Sequence, residues 1–213
     1  MYRLRIRFKR GEEIKFISHL DIIRLWQRAL RRAGIDLAYS EGFNPHPRIS
    51  LAVPLALGIT SEAELMDVFI SKHISPHSFT ALVSRQLPSG IEILQVYHIA
   101  PTLPSLQSQV RYTEYMVKVE EEAKSNVEAA IASLLAKEHL PWQHQRDTGP
   151  KSYDLRALID DLWLDSWHNA FGIIGMRLRC SSSGSGRPEQ VIKALGLGEP
   201  SSINRTRLIL KTS

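Results

Sequence analysis

The chain has 213 residues, 43% hydrophobic and 23% charged, with a formal net charge of +5; that is enough for two small folded domains and too apolar for a disordered chain. Its single cysteine, Cys180, excludes an internal disulfide, a cysteine-based zinc site and a self-contained iron–sulfur cluster. No apolar run reaches the ~18 residues of a membrane helix and no apolar signal core follows the basic start, so a soluble, cytoplasmic chain with no membrane partner is expected.

The placement of the charge says more than its size. Residues 1–50 carry 11 Lys and Arg against 5 acids, whereas the remaining residues carry 16 bases and 17 acids. The whole positive excess sits in the first quarter. A localised excess is the electrostatic footprint of an anionic partner, nucleic acid first.

Residues 2–9 alternate without a fault. Leu4, Ile6 and Phe8 fall on one side; Arg3, Arg5, Arg7 and Lys9 fall on the other. Period two means a half-buried strand with four cations along one face. A solvated face, or an edge strand protected by charge, is the plain alternative. After a turn at Gly11, Ser18 and Asp21 have the spacing of a capping box, and Gly34 suits a C-cap. The helix between them places Ile22, Trp26, Ala29, Leu30 and Ala33 on one side, and Arg24, Arg28, Arg31 and Arg32 on the other.

A short strand at 37–39 leads into Ser40-Glu41-Gly42-Phe43-Asn44-Pro45-His46-Pro47-Arg48. Gly, Asn and two prolines make a stiff, non-regular loop. Phe43, Asn44, His46 and Arg48 are the groups that stack on unpaired bases or hydrogen-bond to them. A rigid connector with Phe43 buried is the competing reading. Paired strands follow at 49–55 and 63–70, then a helix from Ser75-Pro76 to Leu87 and a strand at 91–99.

Residues 100–110, rich in Pro, Ser and Gln, have a linker's composition. A strand at 111–119, a helix capped at Ser125, a strand from Pro141, and a polar loop at 147–151 come next. Asp154 is placed to cap a short helix. A hairpin turned at His168-Asn169, a helix from Pro188 to Gly196 and a last strand at 203–210 complete the chain. The class is therefore α+β: two tandem ferredoxin-like (β-α-β-β-α-β) units with antiparallel sheets, at 1–99 and 111–213. Before the last helix, Ser185, Gly186 and Arg187 suit an anion-binding loop, although the P-loop and dinucleotide spacings are both missing.

No hydrolase, zinc-protease or nucleotide-binding signature occurs, and the eight histidines have no metal-ligand spacing. No metal, cofactor or catalytic residue is expected. His19 follows the helix cap and reads as structural.

The block KFISHLDIIRLWQRALRRAGIDLAYSEGFNPHPRISLAVPLALGITSEAELMDV, residues 15–68, resembles the radical SAM-associated family, a domain of unknown function. The later stretches KSYDLRALI, GSGRPEQVIKALGL and INRTRLIL resemble the same family. This likeness implies a companion to a radical SAM protein, with no catalytic residues to carry over. The chain has no Cys-x3-Cys-x2-Cys, so it is not the radical enzyme itself. The block is also similar, more loosely, to ferredoxin-like RNA-processing proteins of CRISPR systems, some of which cleave RNA through a histidine. His19 or His46 would then be the candidate.

A non-catalytic RNA-binding or substrate-presenting accessory protein is the leading reading. The alternatives are a protein–protein adaptor that docks on an acidic partner and a metal-independent endoribonuclease.

Overall fold

The computed structural model describes residues 1–120, 124–146, 149–181 and 184–211. Its elements are α+β, and they divide into two compact units, Met1–Val110 and Arg111–Ser213.

Unit 1 is built on β1 (Tyr2–Arg10), β2 (Ile49–Leu51), β3 (Thr60–Ile70) and β4 (Ile91–Ile99). The strand order is β2-β3-β1-β4, and every pairing is antiparallel. Helices α1 (His19–Arg32) and α2 (Pro76–Ser84) supply the crossovers. Both start where local chemistry dictates. The Ser18 hydroxyl accepts from the Asp21 N–H, the Ser75 hydroxyl accepts from the Ser78 N–H, and Pro76 stands at the first helical position. Gly34 ends α1 with φ +71°, a left-handed conformation that favours glycine. Leu4, Ile6 and Phe8 of β1 pack with Trp26, Leu30 and Phe79 in the core, as the alternation requires. The rings of Phe8 and Trp26 meet edge to face, 5.0 Å apart.

Several sequence expectations change in unit 1, among them the end of α2, which comes at Ser84 rather than Leu87. The segment 37–39 forms only isolated bridges, Leu37 to Ile70 and Tyr39 to Pro47. The strand expected over 49–55 stops at Leu51. Residues 100–110 are not a free linker: Leu106 is buried, a short helix α3 forms over Leu106–Gln109, and the segment lies over β1 and β2.

Unit 2 contains β5 (Val110–Glu120), α4 (Lys124–Leu135), β6 (Pro141–Arg146), β7 (Gly149–Asp154), β8 (Ile159–His168), β9 (Phe171–Ser181), β10 (Gly184–Ser185), α5 (Pro188–Ala194) and β11 (Ser202–Leu210). The sheet runs β10-β9-β5-β11, with β8 also paired to β9, and β6-β7 form a separate hairpin. Where a polar loop is expected at 147–151, residues from Gly149 onward are strand, while 147–148 lie outside the described residues. Asp154 is not the cap residue: the short helix is a 3-10 turn of three residues, Arg156–Leu158, with Leu155 at its N-cap, and the Asp154 carboxylate accepts from the Arg156 N–H one position earlier. Trp163 lies opposite Gly175 across β8 and β9; a Cβ there would come within 2.0 Å of the indole. Glycine is what lets this ring lie flat on the sheet.

Candidate nucleic-acid interface

The cations of β1 do not form the water-facing row that the alternation suggests. Arg3 and Arg5 are buried, 3% and 4% exposed, and both grip Asp67 of β3, which is wholly buried. Arg3 donates to Asp67 Oδ2 from Nε at 3.0 Å and from Nη2 at 2.6 Å. Arg5 donates from Nε to Oδ1 at 2.8 Å and from Nη2 to Oδ2 at 2.9 Å. The backbone carbonyls of Leu103 and Pro104 accept from Arg3, and the amide oxygen of Gln109 accepts from Arg5. Burial works against the charged form of Arg5, yet the hydrogen bond and charge of Asp67 hold its pKa above the ordinary arginine value. Lys9 is half-exposed and lies 3.5 Å from Glu92. Of the four, Arg7 alone is fully on the surface.

The physical reason is the cover over the second face of the sheet. A buried Asp67 needs a cation, and the segment 101–109 excludes water from the pair. Asp67 is the residue that sequence reasoning missed. Its signal is a lone carboxylate inside the apolar run Leu65-Met66-Asp67-Val68-Phe69. Such an acid is seldom buried unless paired.

The basic face of α1 is where the sequence places it. Ile22, Trp26, Ala29 and Leu30 are buried, and Arg24, Arg28, Arg31 and Arg32 are exposed. Arg24 pairs with Asp21 at 3.0 Å on the surface. The Asp21 carboxyl lies below the usual carboxylate range because the Ser18 hydroxyl donates to it, and secondly because Arg24 does. Arg32 donates to the Gln86 carbonyl at 2.9 Å. Arg31 reaches the Tyr39 hydroxyl at 3.3 Å, which joins the helix to the root of the loop at 40–47.

That loop is closed by its own backbone. The Ser40 N–H donates to the His46 carbonyl at 2.9 Å, and the His46 N–H donates to the Ser40 hydroxyl at 3.0 Å. Gly42 turns the chain at φ +119°. Phe43 is fully exposed, so the buried-connector reading fails; Asn44 and His46 are exposed beside it. Arg48 lies over the Phe69 ring, 4.0 Å from its centroid, with one N–H 3.1 Å from the Met1 sulfur. Arg24, Arg28, Arg31, Arg32, Phe43, Asn44, His46 and Arg48 thus all reach the surface of unit 1. His19 is half-buried at the start of α1.

Part of the loop before α5 is strand. Gly184 and Ser185 pair with β9, and the Gly186 N–H is taken by the Arg179 carbonyl at 3.0 Å. Pro188 has no N–H to offer. Arg187 is exposed and contacts His144 Nε2 at 3.1 Å. Of Ser185, Gly186 and Arg187, the Gly186 N–H is thus taken within the chain; residues 182–183 lie outside the described ones.

Among the described residues, no group of three or more potential metal-ligating His, Cys, Asp or Glu side chains occurs, and no helix is long and apolar enough to cross a membrane.

Comparison with solved structures shows the fold. The chain is similar to a chain in the crystal structure of a Cbf5–Nop10–Gar1 complex, with a TM-score of 0.51 and 7% identity over 96% of this chain and 48% of that one. A chain of the archaeal box H/ACA sRNP Nop10–Cbf5 complex gives a TM-score of 0.48 at 7% identity, over 97% of this chain and 48% of that one. The chain spans about half the length of these solved chains. No curated protein matches it. Residues 3–188 match the profile of a family described as an uncharacterized protein conserved in bacteria, DUF2344, and the chain belongs to that family.

Proposed function

We propose that unit 1 binds single-stranded RNA and that the protein is a non-catalytic accessory module. One observation carries the reading: Arg31 and Tyr39 join the exposed arginine face of α1 to a self-braced loop with a fully exposed Phe43. Guanidinium groups track phosphates, and an exposed aromatic at a stiff tip stacks on an unpaired base. Duplex RNA has no free base face for Phe43, so single strands are preferred.

A radical SAM enzyme as the partner, and presentation of RNA to it, belong to the same proposal. That part is supported by the resemblance of residues 15–68. The strand orders β2-β3-β1-β4 and β8-β9-β5-β11 support reading the two units as one ferredoxin-like design used twice, with β6-β7 inserted in the second.

The test is fluorescence anisotropy of a labelled single-stranded RNA across a salt series. Each phosphate contact adds about 0.7 to the logarithmic salt slope for a single strand. Arg28→Gln with Arg31→Gln is expected to lower the slope by roughly 1.4 if each makes one such contact, with the thermal melt unchanged. An unaltered slope and affinity would refute the interface. A pull-down repeated after nuclease treatment separates an RNA-bridged partner from one that docks directly.

A further inference from the structure

The surface of unit 1 holds a second, concave feature beside the arginine face. A groove of about 460 Å³ opens between the C-terminal half of α1 and the turn after α2. Arg28, Arg32 and Arg85 line it, with Leu25 and Leu87 contributing its apolar part, and no carboxylate does. Arg85, the C-cap residue of α2, is not among the cations that the basic quarter of the sequence singles out.

Three guanidinium groups around one groove repel one another. Arg28 and Arg32 are also one turn apart on the same helix face, a spacing at which like charges destabilise a helix. The C-terminal dipoles of α1 and α2 offset part of this for Arg32 and Arg85. Two details prepare the groove for a ligand. Arg32 is anchored by the Gln86 carbonyl at 2.9 Å, so its side chain is held along the wall. The acid nearest to Arg28 along the helix face is Asp21, and its carboxylate is already engaged by Ser18 and Arg24. Asp21 acts on Arg28 through charge, but no carboxylate lines the groove, so an anion from outside still meets three guanidinium groups there.

We infer that this groove takes a phosphate monoester, and that in the RNA-binding reading above, on which this step rests, the monoester is a terminal phosphate of the bound strand. An internal phosphodiester carries one negative charge and two open oxygens. A terminal monoester carries up to two charges and three oxygens, which matches three planar donor forks far better. Leu25 and Leu87 give the adjoining sugar an apolar surface to rest on.

The experiment compares oligonucleotides of one sequence with hydroxyl at both ends, with a 5′-phosphate and with a 3′-phosphate, each bound to the full chain. One phosphorylated end should bind about tenfold tighter than the hydroxyl form, the worth of one or two charge-assisted hydrogen bonds. Arg85→Gln should remove that difference while leaving affinity for the hydroxyl form within about twofold, as expected for a residue outside the proposed interface. In parallel, inorganic phosphate titrated alone should shift the Nε–H resonances of Arg28, Arg32 and Arg85, and Arg85→Gln should weaken that response. Equal affinity for all three oligonucleotides would overturn the terminal-phosphate inference while leaving RNA binding intact. If no oligonucleotide binds, the RNA reading fails, and the phosphate titration alone decides the groove: absent shifts overturn it, and shifts lost in Arg85→Gln support a monoester from a free source.

Discussion

Arg5 closes a two-bonded fork on Asp67, with Nε on one carboxylate oxygen and Nη2 on the other, 2.8 and 2.9 Å away. The two residues lie directly opposite each other on β1 and β3. Arg3 shares the same carboxylate, so one acid answers two cations. Removing that acid while the cations stay buried is strongly unfavourable. Asp67→Asn is expected to destabilise unit 1 by about 3–5 kcal/mol, read by urea denaturation with probes in both units. Replacing all three groups by apolar residues of similar volume, Arg3→Met, Arg5→Met and Asp67→Leu, is expected to restore most of that stability. A single Asp67→Asn variant as stable as the parent would show that water reaches the pair.

Phe43 gives the opposite kind of prediction. It is exposed and packs on nothing that folding needs. Phe43→Ala should leave the melting curve unchanged, within about 0.5 kcal/mol for a surface substitution. Its affinity for single-stranded RNA should fall by about 1–3 kcal/mol, the worth of one stacked base. Affinity retained in full would remove stacking from the mechanism.

Gly175 is tied to Trp163 by space alone. A methyl group there would sit 2.0 Å from the indole Cε2, so the ring must leave the sheet. Gly175→Ala is expected to cost unit 2 about 1–3 kcal/mol through overpacking. In a Trp163→Leu background the same substitution should cost clearly less, and denaturant melts of the four proteins form the cycle that measures it.

Asp154 carries a pH dependence. His139 donates to its carboxylate at 2.8 Å, and the Leu140 N–H does so at 2.9 Å. These bonds, the histidine first, hold its pKa below the ordinary aspartate value. A carboxyl depressed on folding contributes stability above its unfolded pKa and loses it as pH falls through the folded one. Wild type should therefore exceed Asp154→Asn in melting temperature near neutrality, and the gap should close as pH falls through and below the ordinary aspartate range. A gap that stays constant over that range would assign Asp154 a role independent of its charge.

How much of this is legible in the sequence follows from how local each cause is. Ser18 and Gly34 mark both ends of α1 because caps are made by neighbours in the chain. Alternation places Leu4, Ile6 and Phe8 in the core because the pleat guarantees it. The same alternation is silent about what covers the other side of the sheet. Arg3 and Arg5 look alike to Arg7 in sequence, yet only the first two meet Asp67, with Arg3 also bonded to the carbonyls of Leu103 and Pro104 and Arg5 to the Gln109 side chain. Arg85 is invisible for a related reason: it joins Arg28 and Arg32 only after α2 packs beside α1.

The ion cluster under α3 also polices how the strands align. If β1 slid one residue along β3, every side chain would change sides, and two guanidinium groups would enter the space held by Trp26 and Phe79. Asp67 would at the same moment face an aliphatic neighbour. Mispairing of the central strands thus carries an immediate electrostatic penalty, a proofreading device that an all-aliphatic sheet would not have.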